Sequence, residues 1–230
     1  MNTKPYSKKR TLWTVFGAYL LICSVWAVYR FFVEAPLSVL FDPGFPTAAL
    51  LEGLVKSLLY ILPPLILMNR MKEGLEILPK QVFGFSWKTI LFGLGLGLLF
   101  FVFYSARAVL VEGGIRYDFR LSADTLIGAV FFAAITEEIL CRAFILNALV
   151  KKIGRGWAHI ITAVLFALMH LPIWIAGGTT SLQTLLLNLL STGCIGYLLG
   201  LVFLHSGGIW GAVAAHALHN FIIDTIKPPT

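Results

Sequence analysis

The sequence predicts an all-α fold, a polytopic membrane helical bundle of about seven transmembrane helices whose polar site lies in the C-terminal helices. Three observations carry this. Of 230 residues, 58% are hydrophobic and only 13% charged, and the mean hydropathy is +0.86, outside the range of soluble globular domains. The apolar residues gather in runs of the roughly 20 residues needed to cross the hydrocarbon core, with little left over for a separate soluble domain. The basic residues sit in short clusters at the ends of those runs rather than on one continuous face. The net charge of +7 and pI near 9.5 therefore read as topology signals, and a nucleic-acid partner is not expected.

In chain order, Lys4, Lys8, Lys9 and Arg10 precede a run over about residues 11–32, longer than a signal-peptide core and without a small-residue cleavage pattern. It reads as an uncleaved first helix with a cytoplasmic amino terminus. The next run, about residues 47–68, carries Glu52 and Lys56 one turn apart, where they can neutralise each other as a structural pair. Arg70, Lys72, Lys80 and Lys88 then mark a cytoplasmic loop. Further spans follow at about residues 89–111 and 124–150, joined by a loop of mixed charge (Glu112, Arg116, Asp118, Arg120) that suits the outer side. Lys151, Lys152 and Arg155 return the chain to the cytoplasmic side before runs at about residues 157–176, 182–204 and 209–226. The carboxyl terminus is expected outside.

Pro63, Pro64 and Pro172 should kink or end helices. Gly93 and Gly97, Gly196 and Gly200, and Gly207 and Gly211 have the spacing of close helix contacts. Cys23, Cys141 and Cys194 fall inside apolar runs and are expected to be small core residues rather than a disulfide framework.

The informative residues are those that do not belong in lipid. A charge at the bilayer centre costs roughly 2.5 to 3.5 kcal/mol on insertion scales, so Glu137, Glu138 and Arg142 in one apolar span must face the bundle interior. Glu138 and Arg142 are one turn apart and can pair, while Glu137 is rotated about 100° away and left for another task. The next helix holds His170, and the last holds His216, His219 and Asn220, with His216 and Asn220 on one face. A carboxylate, an imidazole, and an imidazole with an amide on three helices are the parts that water-mediated carbonyl hydrolysis requires.

At these residues the chain resembles the type II CAAX prenyl endopeptidases and their bacterial CPBP relatives, also called Abi proteins. The match runs through Glu-Glu-x-x-x-Arg at Glu137, Glu138 and Arg142, Phe-x-x-x-His at Phe166 and His170, and His-x-x-x-Asn at His216 and Asn220, in that order. Cys141 and Ala143 stand where that family often has an aromatic and a glycine. The apolar runs give three N-terminal transmembrane helices over residues 1–123, and the resemblance, which covers about the second half of the chain, implies a catalytic helical core over residues 124–226. It also implies an intramembrane protease in the cell membrane that acts on a peptide or protein substrate. In that reading Glu137, with His170, activates a water, His216 and Asn220 stabilise the oxyanion, Glu138 and Arg142 form a supporting ion pair, and Phe166 shapes the site.

Blander readings stand beside it. Glu138 and Arg142 also make sense as a purely structural salt bridge, and His159, His205 and His219 as core or helix-end residues. No cofactor is expected, although one Glu and two His would also make a Zn²⁺ ligand set. A non-proteolytic scaffold or bacteriocin-immunity protein, or a proton relay, would use the same buried groups.

Overall fold

A computed structural model describes residues 6–38 and 47–229; Lys4, part of the expected basic start, lies outside them. Among the described residues the regular structure is helical apart from one two-residue antiparallel bridge, Arg116–Tyr117 with Ile226–Lys227. The helices are α1 (Lys8–Val28), α2 (Thr47–Tyr60), α3 (Leu62–Met71), α4 (Trp87–Glu112), α5 (residues 125–153), α6 (Arg155–Leu168), α7 (Leu171–Ala176), α8 (Leu182–Ser206) and α9 (Ile209–Thr225). A π-helical turn, Tyr29–Val33, extends α1 into Glu34–Ser38.

Five segments are long and apolar enough to cross a membrane: Lys8–Val33, Ala49–Gly74, Trp87–Glu112, Arg155–Ala176 and Leu182–Ser206. The helices α5, with its charged residues, and α9, with 17 residues, are not among the five. Large apolar side chains such as Leu98, Leu99, Phe103 and Leu190 point outward, as they must if the solvent is hydrocarbon.

The prolines act where the sequence places them. Ile61 interrupts the second span so that Pro63 falls in the first turn of α3, where a missing N–H costs nothing. Pro172 likewise opens α7 and separates it from α6 at Met169 and His170.

The core is built on α5. Every residue from Ile139 to Val150 is buried, so this half of the helix runs through the centre of the bundle and is apolar nearly all round. Its winding was not legible in the sequence: π-helical stretches Thr125–Ala133 and Ile139–Leu146 flank the short α-helical segment Ala134–Glu138. π turns are rare and concentrate at functional sites, and here they bracket the two glutamates.

The predicted close contacts hold at five of the six glycines. A Cβ on Gly93 would collide with the Gly211 carbonyl, and one on Gly211 with the Thr89 carbonyl, so α4 and α9 touch backbone to backbone. A Cβ on Gly196 would meet the Phe166 ring at 2.7 Å, and one on Gly200 the His159 ring at 2.7 Å, which lets α8 lie against α6. Gly97 faces Leu218. Gly207 departs from the expectation: it has nothing within 4 Å of its Cβ position and ends α8 at φ 71°, so it is a left-handed cap rather than a packing residue. Cys141 is buried and Cys23 partly so, but Cys194 is exposed, correcting its expected place in the core.

The two ends of the bundle differ in charge. At one end Lys152 donates to the Tyr6 carbonyl (2.9 Å), Arg155 pairs with Glu76 (3.2 Å), and the Asn147 amide both accepts from the Ile77 N–H (2.8 Å) and donates to the Ile77 carbonyl (2.9 Å). These contacts gather the basic start, the Arg70–Lys88 loop and the Lys151–Arg155 turn on one side. At the other end the Asp118 N–H donates to the Thr225 carbonyl (2.9 Å), beside the Arg116–Lys227 bridge. Asp118 itself accepts from the Arg120 N–H (3.1 Å), which holds its carboxyl below the usual carboxylate range.

Candidate active site

A cavity of about 670 Å³ opens into the bundle from the end opposite the basic loops. Asp124 and Asp224 lie toward its mouth, and Lys56, Glu137, His170, His216 and Asn220 line its interior. The three helices singled out by the sequence, α5, α6 with its break, and α9, therefore do present their polar residues to one space.

His170 owes its place to Pro172. The break makes the His170 N–H bond to the Ala167 carbonyl (3.1 Å) instead of to that of Phe166, one residue further back, which is freed. That carbonyl takes the His170 Nδ1 at 2.7 Å. A carbonyl only accepts, so Nδ1 carries the hydrogen and, in the neutral ring, Nε2 presents a lone pair. It stands 3.5 Å from Glu137 Oε2.

His216 is set in the same way from the opposite side. Its Nδ1 lies 2.9 Å from Glu138 Oε1, which accepts, and its Nε2 is 3.9 Å from Glu137 Oε2. Glu138 is wholly buried and also accepts from Arg142 at 2.8 Å. Arg142 donates its other terminal nitrogen to the Gly196 carbonyl (2.7 Å) and lies over the Phe166 ring, 4.3 Å from its centroid. The Glu138–Arg142 pair thus forms as the spacing predicts. It does more than fill space: one of its oxygens fixes the His216 ring.

Glu137 is not the free acid that the sequence reading expected. Its Oε1 lies 3.3 Å from the Lys56 ammonium, which also sits 3.2 Å from Glu52 and 5.2 Å above the Trp26 ring. Glu52 and Lys56 do pair at one turn, but Lys56 is shared with the site, and a self-contained structural pair is not what is seen. The local partner concealed the distant one. Two signals existed: a buried lysine in an apolar span, and the surplus carboxylate of Glu137.

Glu137 Oε2 is buried and has no hydrogen-bond partner among the described residues. It shares a small space with the Nε2 atoms of His170 and His216, at 3.5 and 3.9 Å. A water there can donate one hydrogen to Glu137 Oε2 and the other to the His170 Nε2 lone pair, holding its oxygen toward the cavity.

Asn220 lines the same cavity and donates from Nδ2 to the Ala129 carbonyl at 2.7 Å. That uses one of its two amide hydrogens. His219, read as a core residue, is buried and bonded to the Asn220 oxygen (3.1 Å) and to the Tyr104 hydroxyl (2.9 Å). His159 packs on Tyr197 and His205 on Phe92, both away from the cavity. No group of three or more His, Cys, Asp and Glu side chains is arranged to hold a metal ion among the described residues.

Residues 120–222 match the family described as type II CAAX prenyl endopeptidase Rce1-like. The match takes in all of α5 to α8 and nearly all of α9, with Glu137, Glu138, Arg142, His170, His216 and Asn220, while Lys56 and Asp224 lie outside it. This match and the five helices long and apolar enough to cross a membrane support a membrane protein. No curated protein matches the chain.

Proposed function

We propose that this protein is an intramembrane endopeptidase that hydrolyses a peptide bond with a water activated by Glu137, in a cavity within about seven helices crossing the cell membrane. The observation that carries the reading is the convergence of Glu137 Oε2 with the Nε2 atoms of His170 and His216, at 3.5 and 3.9 Å, inside a cavity large enough for an extended peptide.

The chemistry follows from these positions. His170 and Glu137 orient the water; its oxygen attacks the peptide carbonyl carbon while Glu137 takes the proton. The negative charge that forms on the carbonyl oxygen is met by the remaining Asn220 amide hydrogen and by His216 in its doubly protonated form, with Glu138 as counter-ion. Collapse breaks the carbon–nitrogen bond, and the proton on Glu137 passes to the departing amine. The reading needs no metal, since Lys56 already supplies the positive charge beside Glu137. Proteolysis that survives exhaustive chelation supports this, and loss with recovery on adding Zn²⁺ would overturn it.

Two further features belong to the proposal. Helices α5 and α9 run between the same two ends as the five apolar spans, which makes seven crossings. The cavity mouth lies opposite the basic loops, so by the positive-inside rule the substrate enters from the non-cytoplasmic side.

The test is a proteomic comparison of cells carrying the wild-type chain or Glu137→Gln. A peptide or protein cut only with the wild type is the expected result and identifies the substrate. Identical sets of chain ends, with both proteins accumulating equally, would end the protease reading in favour of a scaffold.

A further inference from the structure

Three neighbouring hydrogen bonds behind Asn220 have a single consistent direction. Asn220 Nδ2 lies 2.7 Å from the Ala129 carbonyl oxygen, which can only accept. The amide oxygen must then be the atom facing His219 Nδ1 at 3.1 Å, and that nitrogen must carry a hydrogen. In the neutral ring His219 Nε2 is left as an acceptor, and the Tyr104 hydroxyl 2.9 Å away donates to it. The ring is buried and packs edge-on against Phe100, which leaves it little freedom to turn.

We propose that Tyr104 and His219 are positioning residues for peptide hydrolysis: their ordered hydrogen bonds hold the Asn220 amide with its NH₂ toward the cavity, as a fixed donor to the oxyanion. The inference rests on the proposed endopeptidase reading and extends it to two residues outside the matched motifs. Tyr104 lies on α4, outside residues 120–222, so part of the site's alignment comes from the N-terminal helices. The chain polarises toward the reacting centre: hydroxyl to imidazole, imidazole to amide oxygen, amide hydrogen to substrate. Without this support the Asn220 amide is held by the Ala129 carbonyl alone, and its remaining amide hydrogen is set less firmly toward the oxyanion.

Two measurements test this. The first needs no substrate: ¹⁵N NMR of histidine-labelled protein in lipid, with His219 identified by its loss in His219→Phe. A single Nδ1–H tautomer at His219 that becomes mixed in Tyr104→Phe is expected; an Nε2–H tautomer, or no change in Tyr104→Phe, overturns the proposal. The second uses the peptide whose cleavage requires Glu137. Tyr104→Phe should lower kcat roughly tenfold with KM unchanged, in line with the loss of one hydrogen bond, and should have no further effect in an Asn220→Ala background. An equal loss in both backgrounds would mean that Tyr104 acts on the fold, and the positioning role fails. Wild-type turnover by Asn220→Ala would instead remove Asn220 from the oxyanion site, a failure of the underlying reading that these outcomes keep separate.

Discussion

Lys56→Met offers a quantitative test of how the site is assembled. Methionine keeps most of the length and apolar stem of lysine but removes the ammonium that lies 3.3 Å from Glu137 and 3.2 Å from Glu52. The side chains of Lys56 and Glu137 are only 5% and 4% exposed, so the variant leaves a buried carboxylate without its cation. Removing one partner of such a pair costs about 3–5 kcal/mol. Glu52 adds little, because it is a quarter exposed and retains Arg30 at 3.4 Å. For a chain of this length each kcal/mol moves the melting temperature by about 2–4 °C, so the loss should be roughly 6–20 °C. The assay is thermal unfolding of the purified protein in detergent, beside the double variant Lys56→Met/Glu137→Gln. Removing both charges should restore most of the stability, since a neutral amide does not need the ammonium. A Lys56→Met protein as stable as the wild type, or a double variant no more stable than the single one, would refute the reasoning.

Three other outcomes follow from the geometry. Glu138→Gln keeps the shape of the side chain but presents the His216 ring with an amide in place of a charged acceptor; turnover should fall about tenfold or more while the protein still accumulates, as measured by initial rates on the identified peptide. Gly93→Ala should destabilise the protein by about 1–3 kcal/mol because its Cβ meets the Gly211 carbonyl, whereas Gly95→Ala, with nothing within 4 Å, should be neutral or slightly stabilising; paired melting curves separate them. In a background lacking the native cysteines, a membrane-impermeant thiol reagent applied to intact cells should label Asp124→Cys, near the cavity mouth, and spare Lys151→Cys; the reverse pattern would invert the topology.

The parts of this structure that were legible in the sequence are those governed by one strong local cost. Spans were readable because crossing the hydrocarbon core takes a long apolar run, and Glu137, His170 and His216 because buried polar groups in lipid demand a reason. Lys56 was passed over because Glu52, one turn away, gave it a sufficient local explanation. The Tyr104–His219 contact joins residues 115 positions apart and leaves no periodic trace. Gly207 was misread because a small residue spaced for a helix contact also suits a helix end; the adjacent Gly208 was the available sign of a break. The π winding of α5 carries no residue signature along the helix, such as a proline or glycine at a fixed offset, from which it could have been read.

The most direct measurement of the central claim is single-turnover hydrolysis by purified protein in lipid vesicles, comparing wild type with Glu137→Gln on the peptide found in the proteomic comparison. The account predicts that the peptide still binds and that the rate of bond cleavage falls by at least a hundredfold. Cleavage by Glu137→Gln at the wild-type rate would show that the water is activated elsewhere.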